Sequence, residues 1–160
     1  MTGSDRKAWR HLPPPAQAVA VAASEAVAAA QERDRDRLEA AVAPLAVTEG
    51  AGLVLGAVVR LLLEQTHPDG LGGDDIRRII EGCARDVVAW EPAIDPHVLL
   101  VLLAGALGVH DQSEEAPPSP DILARHAALL VAHLLTPTPR PLAGYLAAAF
   151  TEIERTELLD

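Results

Sequence analysis

Residues 95–111 read DPHVLLVLLAGALGVHD, and between His97 and His110 this stretch has no polar side chain at all. Four structures fit such a run: a membrane span, a ligand-lined pocket, a metal site bracketed by histidines, or a rod inside a helical core. Length decides the first. Crossing about 30 Å of hydrocarbon takes about 20 apolar residues. Val98 to Val109 is 12 residues, which as a helix is only about 18 Å. With Asp95 and Asp111 closing its ends, the run is too short to cross. The histidine bracket fails on geometry, because His97 and His110 would sit roughly 20 Å apart on different faces of one helix. A short helix that is apolar all round belongs at the centre of a helical bundle. A helix over 96–110 is therefore expected at the core. A second all-apolar helix, over 49–65, is expected beside it, where Gly52-x-x-x-Gly56 would let the two backbones approach.

Composition points the same way. The 160-residue chain is 49% hydrophobic but only 2% aromatic, and it contains thirty alanines. Alanine is the best helix former, and its small side chain permits close interaxial distances. Alternating runs of β-branched and aromatic residues between turn residues are missing, so strands are not expected. The expected fold is all-α, a single-domain bundle of about seven helices over 16–160, preceded by an arm and proline-rich linker at 1–15. Capping signals place the helices. Asp95-Pro96, Ser119-Pro120 and Thr138-Pro139 each read as an N-cap followed by a first-position proline. Thr48 reads as the cap of 49–65, Asp74 as that of a helix over 75–90, and Pro44 as the end of a helix begun at Asp34. Helix 75–90 has the cleanest amphipathic pattern, with Ile76, Ile79, Ile80, Cys83, Val87 and Trp90 on one face. A shift of about 46 residues lays 49–90 over 95–136, near the period of helical-hairpin repeats, so stacked hairpins are an alternative packing.

The formal charge of −10 argues against nucleic acid and against an anionic membrane surface, both of which need clustered cations. Lys7 is the only lysine. One cysteine, Cys83, excludes an intrachain disulfide and suits a reducing cytoplasm. The alanine-rich start resembles a signal peptide superficially, but Pro13–Pro15 and Glu25 interrupt it. A cytoplasmic protein is expected.

Few residues carry chemistry. His126 and His133 share a helical stripe but stand about 10 Å apart along the axis, twice the i,i+4 spacing that grips one zinc. Glu64-x-x-His67 is half of a di-iron motif whose other half is missing. Asp69–Asp75, DGLGGDD, lacks the alternating ligands and the twelfth-position Glu of an EF-hand. No metal site and no cofactor is implied. Cys83 lies on an apolar stripe, where a thiol is inert. Neither a nucleophile elbow nor a phosphate-binding glycine loop is present. The expected function is therefore non-enzymatic, exercised through contact with another protein or with a second copy as a homodimer. In the basic segment RKAWRH, Trp9 with Arg6 and Arg10 has the aromatic-plus-arginine composition of an interface. The alternative is a helical sensor or carrier that holds a small apolar ligand between helices, with His126, His133 or Tyr145 as polar handles.

Overall fold

A computed structural model describes residues 9, 10, 12–109, 116–138 and 140–159. Among these the chain forms seven α-helices and no strand: α1 Pro14–Gln31, α2 Arg35–Val47, α3 Ala51–Thr66, α4 Gly73–Val88, α5 Pro96–Ala106, α6 Pro120–Leu135 and α7 Leu142–Leu159. One connected cluster of buried side chains draws on all seven. The architecture is the single-domain helical bundle that the alanine-rich composition requires.

Of the two helices expected at the centre, α3 is deeply packed and α5 is not, and α6 holds the middle of the bundle. α6 packs on α1, α2, α3, α4 and α5, and its buried residues run without a break from His126 to Val131, so every side of the helix is covered. α3 also sits deep, against α1, α5, α6 and α7. α5 touches α3, α4 and α6 but buries only Val98, Leu99 and Leu103. The all-apolar sequence of α5 thus does not mark the core; its outer side is apolar for another reason, given below. Around α6 the packing depends on small residues. α1 lies against α2 and α6 and buries Ala20, Ala23, Ala26 and Ala29 completely. α6 buries Ala124, Ala127, Ala128 and Ala132. α4 folds onto α5 and α6 through Ile79, Cys83 and Val87. It does not pair with α3 as a repeated hairpin would.

The helix ends follow backbone chemistry, and several differ from expectation. Asp95 caps α5 by accepting from the His97 N–H at 2.9 Å, and Ser119 caps α6 by accepting from that of Ile122 at 3.4 Å. α5 stops at Ala106 rather than at residue 110. Gly108 takes φ +77, and the bonds Gly108 N–H to Gly105 O (3.2 Å) and Val109 N–H to Ala104 O (2.9 Å) close the end. Pro44 sits inside α2, which continues to Val47. Thr48 ends that helix, its hydroxyl donating to the Pro44 carbonyl at 2.6 Å, so it is not the cap of α3. Gly50, at φ +86, caps α3 instead, and α2 and α3 meet at a corner of 112°. α4 begins at Gly73, with the Asp75 carboxylate accepting from the Gly72 N–H at 2.9 Å. Thr138 closes α6 by donating to Leu135 O at 3.0 Å, and α7 starts only at Leu142. No single helix among the described residues is long and apolar enough to cross a membrane.

α1 ends with the same pair of bonds as α5, Arg33 N–H to Ala30 O and Asp34 N–H to Ala29 O, but with Arg33 at φ 56 in the position where Gly108 stands in α5. A left-handed residue with a Cβ costs about 1–2 kcal/mol, of which glycine's extra unfolded-state freedom offsets roughly half. Arg33→Gly should therefore raise the free energy of unfolding by about 0.5–1 kcal/mol. Urea unfolding monitored by circular dichroism measures this, and a lower midpoint in the variant would contradict it.

Candidate functional site

The polar residues singled out in the sequence tie helices together. His126, 2% exposed, receives the Asp95 N–H at Nε2 (2.9 Å) and places Nδ1 2.8 Å from the Ile122 carbonyl. The first bond requires a lone pair on Nε2, so the ring is the neutral tautomer with its proton on Nδ1, donating to Ile122. It pins the N-cap of α5 to α6. His133 meets a different helix: Nδ1 lies 3.1 Å from Asp86 Oδ2 on α4. A Cβ at Gly82 would stand 3.4 Å from His133 Nε2, so that glycine lets the ring lie close to the α4 backbone. The Tyr145 hydroxyl donates to Gln65 Oε1, joining α7 to α3. The two histidines thus serve separate contacts. No group of three His, Cys, Asp or Glu side chains able to hold a metal occurs among the described residues.

Trp9 is buried within its own chain, edge-on to Phe150 of α7 with ring centroids 6.2 Å apart. Its indole N–H has no hydrogen-bond partner among the described residues. The arm is held further by Gln17, whose side-chain amide donates to the carbonyl of Leu12 at 2.6 Å. Arg10 is exposed at the rim of a shallow hollow between α1 and α2. Arg6 lies outside the described residues.

The feature best built to receive something is one that the sequence reading did not locate. A groove of about 660 Å³ runs between α3, α5, α6 and α7, with Leu45 and Ala46 from the last turn of α2 also lining it. Its size is that of a small-molecule site. Apart from Thr48, Arg60, Glu152 and Thr156, every described residue lining it is apolar, glycine or proline, and none is aromatic. Neither histidine nor Tyr145 lines it. The outer side of α5 does, through Val101, Leu102, Gly105 and Ala106, which explains why a helix with so few buried residues has no polar face.

Glycines widen the groove. A Cβ at Gly52, Gly56 or Gly105 would meet nothing within 4 Å, so the Gly52-x-x-x-Gly56 pair does not bring α3 against α5 as its spacing suggested. Gly56 stands in the interior of α3, where glycine destabilises a helix by about 1 kcal/mol relative to alanine. Internal packing does not require it there. At the α7 end, Arg60 donates through Nη1 to Glu64 at 2.9 Å and through Nη2 to Glu152, bridging α3 and α7. Burial opposes the guanidinium charge, but the bonds to Glu152 and Glu64 outweigh it and hold Arg60 above its ordinary value.

No family model, curated protein or solved structure matches this chain. The remaining buried titratable groups offer little chemistry. Burial, with Asp86 adding to it, pushes the Cys83 thiol up to about 12. Glu91 is buried in the α4–α5 loop, paired with Arg35 at 3.5 Å and accepting from the Ala93 N–H at 3.3 Å.

Two outcomes follow. With its thiolate suppressed and its side chain fully buried, Cys83 should resist a disulfide reagent at pH 8 and react with one equivalent in denaturant; rapid reaction of the native protein would overturn this burial. His126 supplies a pH dependence. Burial, opposed by the Ile122 hydrogen bond and by Asp95, lowers its pKa from the ordinary 6.5, so the unfolded chain binds the proton more readily. Its contribution to stability is then complete above about pH 6.5 and declines as pH falls below that value, until the folded form also protonates. His126→Gln keeps an acceptor for Asp95 but cannot titrate. Urea unfolding between pH 7.5 and pH 5 should show a shallower loss of stability in the variant than in the native protein, and equal slopes would refute the assignment.

Proposed function

We propose that this chain is a non-catalytic binding protein that holds a small apolar molecule in the groove between α3, α5, α6 and α7. One observation carries the reading: the groove is lined by a helix with an apolar outer side and by glycines that the fold's own packing does not need. Helical bundles commonly build ligand sites between facing helices. Among the described residues lining the groove there is no imidazole and no thiol, and the titratable ones, Arg60 and Glu152, are paired with each other. A single buried cysteine suits action in a reducing cytoplasm.

Contact with another protein, including a second copy, is the other reading, and it has its own support. Val47 and Leu53, beside the α2–α3 corner, are 83% and 64% exposed, an apolar shoulder beside the groove. Native mass spectrometry of protein purified without detergent or chelator separates the two. The binding reading expects a monomer carrying a reproducible organic adduct, lost in Gly56→Leu. A clean dimer without adduct would reject it in favour of self-association.

A further inference from the structure

We infer that the groove's ligand is an aliphatic amphiphile whose head group donates hydrogen bonds and carries no negative charge. The inference rests on the binding reading above and adds to it the chemistry of both ends of the ligand.

The tail follows from the walls. With no aromatic side chain lining the groove, a flat aromatic ligand would find no ring to stack on. Leu45, Leu102, Leu123 and Ile153 offer aliphatic walls, and the glycine positions leave a floor on which methylenes can lie against backbone. From Ala51 to Arg60 the groove follows ten residues of α3, nine steps of 1.5 Å or about 14 Å. An extended alkyl chain of medium length matches that run.

The head follows from the hydrogen-bond inventory where the groove meets α7. Arg60 donates one N–H from each terminal nitrogen, to Glu64 and to Glu152, which accounts for two of its five. The Thr156 hydroxyl donates to the Glu152 carbonyl at 3.0 Å, and Thr48 donates to Pro44. The hydroxyl protons of the lining residues are therefore committed within the chain. Carboxylate oxygens, with several lone pairs each, keep capacity to accept. One guanidinium faces two carboxylates there, in a chain of formal charge −10. A carboxylate head would meet the net negative charge of two carboxylates around one guanidinium. An amine or alcohol head would meet acceptors.

Calorimetric titration with dodecylamine, dodecanol and dodecanoate, each below its micelle-forming concentration, tests this with one tail and three heads. The amine and the alcohol should bind at one per chain, the amine the tighter, with dodecanoate roughly tenfold weaker than the amine. Glu152→Gln should narrow the gap between amine and acid. Gly56→Leu should abolish binding of all three without loss of thermal stability, because a side chain at that position enters open space. Dodecanoate binding as tightly as the amine, with Gly56→Leu still abolishing it, would overturn the head-group assignment and leave the groove as the site. Failure of all three to bind, or binding indifferent to Gly56→Leu, would overturn both readings.

Discussion

The contact of α6 with α1, α2, α3, α4 and α5 is the constraint from which the rest of the molecule follows. A helix covered on all sides must present apolar surface all round, and here it does so largely with alanine and leucine. The chain has only four aromatic side chains to fill space between helices. Close approach of backbones therefore replaces bulk, and the fully buried Ala20, Ala23, Ala26 and Ala29 of α1 and Ala128 of α6 are small enough to allow it. A core built this way tolerates little enlargement, because added methylenes have no loosely packed aromatic to displace. Its directional contacts are a few polar ties. His126 fixes the start of α5, His133 holds α4, Arg125 reaches Glu39 of α2, and Tyr145 and Arg60 join α7 and α3.

The groove lies where this close packing stops. α5 packs on α3, α4 and α6, burying Leu99 and Leu103, and lines the groove with Val101, Leu102, Gly105 and Ala106. α3 faces it across Gly52 and Gly56. A Cβ at either position would meet nothing within 4 Å, so the opening is maintained by the absence of side chains that the backbone could accommodate. A bundle poor in aromatics closes such an opening less readily, since no large flexible ring stands nearby to swing in. The composition that forces the tight centre thus also permits a vacant flank.

Much of the architecture was legible because caps and periodicity are local. Asp95-Pro96 and Ser119-Pro120 announced two helix starts, and the stripe from Ile76 to Val87 announced the inner face of α4. The identity of the central helix was not local. α5 and α6 both read as apolar, and an apolar surface is the same in sequence whether another helix or an open groove covers it. The Gly52–Gly56 spacing carried the same ambiguity between close contact and empty space. Thr48 was ambiguous between ending one helix and beginning the next, which the left-handed Gly50 resolved in favour of the former. Gly108 did carry a readable stop signal for α5, outweighed by the apolar run that continues past it. Of the candidate site, only its aliphatic character was written in the sequence; its location depends on how α3, α5, α6 and α7 converge.

The same geometry bears on catalysis. A catalytic group needs both a reachable substrate and spare hydrogen-bonding capacity in the right protonation state. Among the described residues, those conditions are separated in space. Cys83 is buried and its thiolate is suppressed; His126 is neutral, with both ring nitrogens engaged; Glu91 is committed to Arg35 and a loop amide. The described residues lining the groove, where a substrate has room, include no imidazole and no thiol, and Glu152 among them is bonded to Arg60. Reactive side chains hold helices together, and the open space is walled with aliphatic groups. That division of labour is the physical ground on which we propose binding in the groove.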